Sequence, residues 1–444
     1  MFFSFVCDNV FLYKYYLNTF CFQIIRASSY HHYMAPNGET ERHASSYTNS
    51  IDAPVSKNDR LYLFINGQWY DLTQWQNQHP GGAEILQHLN GKDATDAFYS
   101  LHSDDAIKRL SRLKPCSSVQ QLSMLPTIES TELTLSFRRL RTKLVNDGFF
   151  KRSIPWELFY HFSVYFLCFL GIFCHFYWGS NLLAILAIGF GMQQAGWIGH
   201  DYAHGRGTWM RWLCQTMTGS INAFSSRWWS HKHNTHHVYT NNIGIDTDVA
   251  NDPVFHLFFP SKDKDVWFRA YQHWYFIPVY SFLYLSWRWQ SIQHSYHTLN
   301  YLELGFMLIN YTWLYMIGWQ VALGSILLGG LLVACIVTAT HQSEEMLTGP
   351  SIPFVETQFL TTCDARCDNF FMEWLWGGMQ YQLEHHLFPT MPKYKYVRVR
   401  PILQKWAKEN GIEYRCESVW SIWRRNYLTM KHFAGQSTNN IDAA

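Results

Sequence analysis

Charged residues are scarce in this chain: they make up 15% of its 444 residues, and the formal net charge is only +2. No basic run interleaved with aromatic residues occurs, which argues against nucleic-acid binding. The 10 cysteines are scattered and form no Cys-x-x-Cys pair, so we expect reduced thiols and a cytosolic face rather than a disulfide framework. The glycine pattern of a dinucleotide-binding unit, Gly-x-Gly-x-x-Gly, is also missing.

Aromatic residues, in contrast, are abundant at 18%, a bias that suits the belts found at membrane interfaces. Residues 274–287 are apolar but short, so we predict an interfacial or re-entrant segment there. Four longer stretches hold at most one acidic or basic residue each and reach the ~20 residues needed to cross the hydrocarbon layer. They are residues 158–178, 181–199, 301–319 and 321–339. The chain is therefore predicted to be a mainly α membrane protein with four spans.

Basic residues flank these spans unevenly. They precede the first span and follow the second, whereas the connectors Gly179-Ser180 and Gln320 carry none. The positive-inside rule then places both termini and the long central loop in the cytosol. His200 and His341, which come directly after the second and fourth spans, are expected at this same surface.

A different kind of sequence precedes the spans. Residues 1–57 are predicted to be an N-terminal extension that is largely disordered, and the part before Met34 is either untranslated or an accessory anchor. Residues 58–115 are predicted to form a compact soluble domain, in which the Asn66-Gly67 turn indicates a β-hairpin. A polar linker with basic helical character, residues 116–155, leads to the membrane part, residues 156–444.

Three histidine clusters carry the strongest chemical signal: HDYAH at residues 200–204, HNTHH at 233–237 and QLEHH at 382–386. On a helix, positions three and four apart share a face. Neutral imidazole suits iron, zinc or copper, and imidazoles from several segments can enclose more than one ion. A single histidine pair is more often structural, but three clusters near the ends of apolar spans favour a metal site at a membrane surface.

These clusters resemble the three histidine boxes of the membrane fatty-acid desaturases, which surround a non-haem di-iron centre. The glutamine that opens the third box, within EWLWGGMQYQLEHHLFPTMP at residues 373–392, resembles the front-end branch. Members of that branch insert a cis double bond between an existing double bond and the carboxyl end, and they carry a fused cytochrome b5-like domain. The resemblance covers residues 60 to about 410. It implies a four-span helical desaturase fold with a cytosolic histidine-rich cap, and two non-haem iron ions.

The resemblance also implies which side chains bind iron. An amide is a weaker ligand than imidazole, so Gln382 binds directly, through water, or only by a hydrogen bond. His341 lies outside the boxes but resembles an extra histidine of the family, and both iron ligation and a capping or structural role stay open for it. The full set of implied ligands is His200, His204, His233, His236, His237, His341, Gln382, His385 and His386.

Residues next to the boxes are candidates for supporting roles. Carboxylates often orient metal-binding imidazoles, although solvated loop acids are the simpler interpretation for at least half of the acids here. Three residues before the second box are candidates for contact with the substrate headgroup or for plain packing: Arg227, Trp228 and Trp229. The acids near the boxes are Asp201, Asp246, Asp248 and Glu384.

The motif HPGG at residues 79–82, after WYDLTQW, resembles cytochrome b5. That fold binds haem b through two axial imidazoles and passes single electrons. His79 is the first axial ligand by this resemblance. The sequence DATDAF followed by SLH makes His102 the second, while His88 is a competitor whose place on the helix after HPGG fits poorly.

Together, the two parts imply an oxidoreductase of the endoplasmic reticulum membrane that spans it several times and desaturates an acyl lipid or acyl-CoA with O2. A tethered haem domain raises the effective concentration of the electron donor. Electrons would come from a separate NADH-cytochrome b5 reductase, because no flavin-binding unit is present. Action at Δ5 or Δ6 of a polyunsaturated fatty acid is expected from family prevalence.

Three alternatives stay open at this point. A sphingolipid Δ8 desaturase shares every motif, and a fatty-acyl hydroxylase shares the oxidant but usually lacks a third box led by glutamine. A membrane-anchored haem electron carrier with a structural metal site belongs to a different class. A structural zinc ion needs only four ligands, so three intact boxes argue against it.

Overall fold

The computed structural model describes residues 60–118, 122–123, 125–205, 208–248, 257, 266–347 and 352–435. The predictions for residues 1–57 lie outside these described residues. The described chain is mainly helical, with a small α+β unit at its N-terminal end followed by a much larger helical part.

The N-terminal unit begins with the antiparallel strands β1 (Tyr62–Ile65) and β2 (Gln68–Asp71). Asn66 and Gly67 both have positive φ, at 51° and 80°, as a two-residue hairpin turn of type I′ requires. The predicted hairpin is confirmed. Three short helices follow: α1 (Ala83–His88), α2 (Thr95–Leu101) and α3 (Asp104–Leu110).

The linker, predicted to have helical character, contains a helix that packs against other parts of the chain. Helix α4 (Glu132–Asn146) is capped by Thr131, whose hydroxyl accepts a hydrogen bond from Thr134 N. Its buried side chains Phe137, Leu140 and Leu144 follow the three- and four-residue spacing of one apolar face. This face packs in one cluster with residues from the C-terminal part of the chain.

The long apolar helices come next, beginning with α5 (Ile154–Phe176) and α6 (Asn181–His204). Three helical stretches of the described chain are long and apolar enough to cross a membrane: Ile154–Phe176, Asn181–His204 and Trp319–Gln342. Small residues let the backbones approach closely. A Cβ at Gly171 would lie 2.5 Å from Ile188, and one at Gly189 would lie 2.7 Å from Leu328.

Between these spans lie α7 (Thr208–Thr218), α8 (Ser226–Val238), α9 (Gln272–Tyr280) and α10 (Leu283–His297). The apolar segment 274–287 is thus two helices separated by Ser281 and Phe282, not one. Next come α11 (Tyr301–Met316), α12 (Trp319–Val337) and the short α13 (Ala339–Gln342). The connector between the last two apolar stretches is Ile317-Gly318, where Gly318 has φ 87°, so the prediction of Gln320 as that connector is wrong.

The C-terminal part forms a cap of short elements. In order they are α14 (Phe354–Thr361), β3 (Asp364–Arg366), α15 (Phe370–Trp376), α16 (Gln382–Leu387), α17 (Tyr396–Glu409), β4 (Cys416–Ser418) and α18 (Val419–Gly435). Strands β3 and β4 pair in parallel. Arg400 donates two hydrogen bonds to the buried carboxylate of Asp364, at 2.8 and 3.0 Å, which holds this cap together.

The N-terminal unit is packed against the larger part. Val238 and Tyr239, at the end of α8, are buried in the same apolar cluster as Leu61, Leu63 and Ile65. Helix α4 adds polar contacts to the same unit. Arg138 donates to both carboxylate oxygens of Asp96 at 2.8 and 2.9 Å and to Asp93 at 3.0 Å. The two parts therefore share core as well as surface.

The Arg138 contacts give a first testable prediction. The variant Arg138→Met leaves Asp96, only 9% exposed, without its charged partner. We expect the N-terminal unit to lose about 2 kcal/mol of unfolding free energy, less than for a fully buried pair because a quarter of the Arg138 side chain stays exposed. This loss is measured by titrating the full chain with denaturant and monitoring protease cleavage within residues 60–150 at each concentration. Arg139→Met, at the exposed neighbouring arginine, is the control. An equal loss in this variant would contradict the stabilising role of the contact between Arg138 and Asp96.

Candidate metal centre and haem site

The first histidine box lies on the last turns of a membrane-span helix. Helix α6 continues without a break past residue 199, the predicted end of the span, to His204. His200 and His204 are one turn apart, and their ring centroids are 5.1 Å from each other. Both side chains are buried. The site is therefore attached rigidly to the span.

The second box lies on α8, which Ser225 caps by accepting a hydrogen bond from Trp228 N at 3.0 Å. The third box is the short helix α16, and His341 lies in α13, which follows the last span directly. All of these side chains are buried. Four separate segments of the chain thus meet at one place.

The imidazoles form two adjacent groups. In the larger group, His200 Nε2 lies 2.6 Å from His233 Nε2, which lies 3.1 Å from His237 Nε2. In the smaller group, His341 Nε2 lies 3.3 Å from its neighbour in the second box and 3.2 Å from its neighbour in the third. The potential ligand atoms within each group all lie within 4.8 Å of one another. The larger group is His200, His204, His233, His237 and His385, and the smaller is His236, His341 and His386.

Adjacent histidines divide between the two groups. His236 and His237 are neighbours on α8, yet they belong to different groups, and the same holds for His385 and His386 on α16. Consecutive residues of an α-helix project about 100° apart, so one pair can face two ions. Gln382 joins the smaller group, since its Nε2 lies 2.6 Å from His341 Nε2. The structure therefore brings all nine predicted ligands together.

The donor atoms of this cluster fit a metal rather than a packed core. Buried polar atoms are nearly always hydrogen-bonded in folded proteins. Here His200 Nδ1, His237 Nδ1, His385 Nε2 and Gln382 Oε1 are buried without a hydrogen-bond partner. So many unsatisfied atoms in one enclosed place would be costly, and cations bound between the rings would offset that cost.

Protonation favours the same interpretation. Burial and the neighbouring imidazoles hold the pKa of four rings well below the usual range: His233, His237, His385 and His386. These rings are therefore neutral at physiological pH and can offer a lone pair to a metal. Burial also acts on His236, but the carboxylate of Asp246 outweighs it and raises the pKa of that ring.

Outer contacts orient several of the rings. His236 Nδ1 lies 2.8 Å from Asp246 Oδ2, His386 Nδ1 lies 2.9 Å from Gln358 Oε1, and His385 Nδ1 lies 3.3 Å from the Tyr396 hydroxyl. Partners of this kind fix ring orientation at metal sites. Gln358 and Tyr396 were not predicted from the sequence, because their positions give no hint that they reach the boxes.

The four acids near the boxes have different roles. Asp246 orients a ring, as described, and Asp248 Oδ2 lies 3.6 Å from His233 Nδ1. Asp201 instead pairs with Arg152 at 2.6 Å. Glu384 accepts a hydrogen bond from the Tyr414 hydroxyl at 2.7 Å. Asp201, Asp246 and Glu384 are buried, so the expectation that at least half of the four are solvated loop acids is wrong.

A cavity of about 140 Å³ opens beside the two groups. Its polar wall includes His200, His233, His236, His341 and Gln382. Its other wall is largely apolar and is formed by Gly196, Trp197, Phe224, Leu283, Tyr284, Trp287, Val333 and Val337. The cavity therefore joins the metal-site side chains to an apolar space between the spans.

The three residues before the second box are placed differently from one another. Trp229 lines the cavity and stacks on His233, with ring centroids 4.9 Å apart. Trp228 packs against the apolar core instead. The backbone N–H of Arg227 donates to the Glu303 carboxylate at 3.2 Å. Trp229 is thus the one of these three that the structure places at the cavity.

The haem-ligand candidates His79 and His102 lie side by side in the N-terminal unit, with ring centroids 5.8 Å apart and ring planes 28° apart. His79 Nδ1 lies 2.8 Å from Gly82 O, and His102 Nδ1 lies 3.0 Å from Phe98 O. A backbone carbonyl on Nδ1 leaves Nε2 as the metal-binding atom, which is the pattern expected of metal-ligating histidine. The pair fits an iron held between two imidazoles.

His88, the competitor, faces another way. Its ring packs edge-on against Tyr239, 5.7 Å between centroids, and lies 3.9 Å from Glu84. It takes part in the contact with the membrane part of the chain and not in the pair formed by His79 and His102.

The lowered pKa values predict how the metal centre responds to acid. A lowered pKa keeps the ring neutral, so protons displace the metal only at a pH below the ordinary imidazole pKa. We expect the metal of the larger group, which does not include His236, to stay bound from about pH 8 to about pH 6.5 and to be released below that range. The smaller group contains His236, whose pKa is raised, so it should lose its metal at a higher pH than the larger group. Dialysis at each pH followed by elemental analysis measures the metal that stays bound. If the larger group has already lost its metal within this pH range, its rings are not the neutral, buried cluster described above.

The haem site gives a matched pair of variants. His102→Ala should abolish the low-spin haem spectrum, because one axial imidazole is lost. His88→Ala should leave that spectrum intact, because His88 faces Tyr239. Absorbance of the purified full chain reports both. A low-spin spectrum that survives in His102→Ala would mean that another residue is the axial ligand.

Comparison with known proteins agrees with this geometry. The family model for fatty acid desaturase matches residues 176–418, and that for the cytochrome b5-like heme/steroid binding domain matches residues 48–131. The chain is 30% identical to the Delta(6)-fatty-acid desaturase fat-3 of Caenorhabditis elegans, over 86% of this chain and 98% of that protein. It is 30% identical to the Delta(5) fatty acid desaturase fat-4 of the same organism, over 82% and 93%. It is 26% identical to the Delta(8)-fatty-acid desaturase 2 of Arabidopsis thaliana, over 85% and 90%.

One family assignment follows from these matches. It agrees with the two histidine groups beside an apolar cavity and with the paired imidazoles of the N-terminal unit. The chain belongs to the fatty acid desaturase family and carries a fused cytochrome b5-like haem domain.

Proposed function

We propose that this enzyme is a front-end desaturase that inserts a cis double bond between an existing double bond and the carboxyl end of a polyunsaturated acyl chain. It would use O2 and electrons relayed through its own haem domain. The observation that carries the proposal is the convergence of nine potential ligands, in two groups, beside a largely apolar cavity.

The two groups would each hold one iron ion. The first iron would be bound by His200, His204, His233, His237 and His385. The second would be bound by His236, His341 and His386, with Gln382 as a further ligand or a hydrogen-bond partner. When bound, the iron pair supplies an oxidant strong enough to remove hydrogens from an unactivated methylene, which no side chain can do. His79 and His102 would hold haem b as axial ligands.

The cavity supports an acyl substrate. Its apolar wall between the spans would bury methylenes and exclude water. Its polar wall, which contains several of the proposed ligand histidines, would lie next to the reacting carbons. Trp229, which stacks on His233, would contact the acyl chain and keep it close to the metal ligands. The depth of this cavity relative to the headgroup would then decide which bond is desaturated.

Helix α11 would be the fourth membrane span. It has 16 residues, a length of about 24 Å, which is short for a span unless flanking residues extend it. Its outward side chains are apolar and exposed, as a lipid-facing helix requires; they include Leu308 at 66% and Tyr315 at 81%. Four spans place both termini and the histidine-rich cap on one side, and the loop charges make that side cytosolic.

We place the protein in the endoplasmic reticulum membrane, with a separate NADH-cytochrome b5 reductase as its electron source. The division of the chain into an extension (1–57), a haem domain (58–115), a linker (116–155) and a desaturase part (156–444) goes with this proposal. The packing of α4 against both neighbouring parts supports a linker that also stabilises the assembly.

Two alternatives are less well supported. The relatives named Δ6 and Δ5 desaturases are 30% identical to this chain, and those named Δ8 or 8-desaturases are 26% and 29% identical. Identity alone therefore does not separate these products, and a Δ5 or Δ6 product is proposed from its prevalence in the family. A structural metal site would need four ligands, and the structure assembles eight imidazoles.

Expression in yeast tests the proposal directly. We expect the wild-type chain to convert a fed di- or triunsaturated fatty acid into a product with one more cis double bond on the carboxyl side. Gas chromatography with mass spectrometry locates the new bond. His236→Ala should abolish the product and leave the haem spectrum unchanged, because that ring lies in the smaller metal group and not near the haem domain's paired histidines. A new bond on the methyl side of the existing ones would contradict the front-end assignment.

A further inference from the structure

Helix α8, which carries three of the proposed iron ligands, contacts the haem domain at two places. Near its middle, His231 Nε2 lies 3.0 Å from the backbone carbonyl oxygen of Pro80. A carbonyl oxygen can only accept, so Nε2 donates this hydrogen bond. After the end of the helix, the Tyr239 hydroxyl donates to the backbone carbonyl of His88 at 2.5 Å.

Both partners of the first contact adjoin proposed metal ligands. Pro80 directly follows His79, the proposed axial ligand of the haem, and His231 comes two residues before His233. Gly82 of the same loop also lies near His231, since a Cβ there would be in ordinary van der Waals contact, 3.9 Å from the ring. One hydrogen bond therefore joins the haem-ligand loop to the iron-ligand helix.

The haem domain is held in this place by further contacts. Val238 and Tyr239 are buried in its apolar cluster. Near the third box, Ser100 Oγ donates to the backbone carbonyl of Leu387 at 3.3 Å, and Leu387 directly follows His386. Burial of shared apolar side chains opposes separation. The domain thus rests on the helices of both the second and the third boxes.

We propose that His231 is a positioning residue for electron transfer: its hydrogen bond to Pro80 holds the haem-ligand loop on the iron-ligand helix, so that electrons cross while the domain is docked. This inference rests on the proposed function. One electron crosses the contact in each event. Two such electrons and two protons, together with the two hydrogens removed from the acyl chain, reduce one O2 to two waters.

The hydrogen-bond donor of the His231 side chain defines the test variants. His231→Leu removes the donor and keeps a side chain of moderate size, whereas His231→Gln keeps an N–H that can reach a carbonyl oxygen. His231 is exposed, and so is His297 on α10. The variant His297→Leu is therefore the control. Each full-length variant is loaded with haem and iron and reduced without air by NADH and cytochrome b5 reductase. It is then mixed with O2 and a polyunsaturated acyl-CoA while haem absorbance reports reoxidation.

We expect haem reoxidation to slow roughly fivefold in His231→Leu, which corresponds to the loss of one hydrogen bond from the docked state. His231→Gln should keep most of the wild-type rate and His297→Leu all of it. The haem spectrum, haem potential and iron content should be unchanged in every variant, because His231 is a ligand of neither metal site.

The proposal would be overturned by an unchanged rate in His231→Leu, by equal slowing in His231→Gln or His297→Leu, or by slowing that comes with loss of haem or iron. Product analysis of the same wild-type sample reports on the proposed function separately. A normal reoxidation rate without a new double bond would contradict the proposed reaction and not the contact.

Discussion

The fold depends on one constraint: eight imidazoles and an amide must be kept together, buried and mostly neutral, in a space without enough hydrogen-bond partners for them. Such a cluster is unfavourable by itself, since several of its nitrogens have no partner within the protein. The surrounding elements therefore have to hold each ring in place through several contacts. Asp246, Gln358 and Tyr396 fix ring orientations, and the paired β3 and β4 hold the cap around the third box through Asp364 and Arg400.

The same constraint explains why the ligands are built onto the membrane spans instead of onto loops. Helix α6 carries its apolar residues and two ligands in one uninterrupted run, and α12 leads directly into the turn that carries His341. Close packing of these two helices, with Gly189 against Leu328 and Gly324 against Ile185, leaves little freedom between them. A substrate bound among the spans is then at a fixed depth relative to the metal groups.

Local features of this architecture were predictable from the sequence, and features that depend on distant partners were not. The box histidines and the Asn66-Gly67 hairpin follow from spacing and turn chemistry over a few residues. The pairing of His79 with His102 follows from the resemblance to cytochrome b5. The outer partner Gln358 gave no such signal, because its role depends on α14 lying against α8, about 120 residues away in the chain. The apolar stretch 301–319 was predicted as one span of that length, but its helix ends at Met316. Gly318, two residues later, has a positive φ, a conformation that glycine adopts without strain.

A docked haem domain changes how fusion benefits the enzyme. A flexible tether works by raising local concentration, and its advantage falls as the tether lengthens. Here the linker helix α4 packs on the cap and pairs its Arg138 with the haem domain's Asp96. At the end of α8, Val238 and Tyr239 lie inside the haem domain's core. Undocking would expose those apolar side chains and leave a buried carboxylate without its partner, both of which cost free energy. The contacts therefore give the haem domain a fixed position, with the loop of His79 beside helix α8. Under the proposed function, a separate reductase would have to reach a haem domain that is already in place.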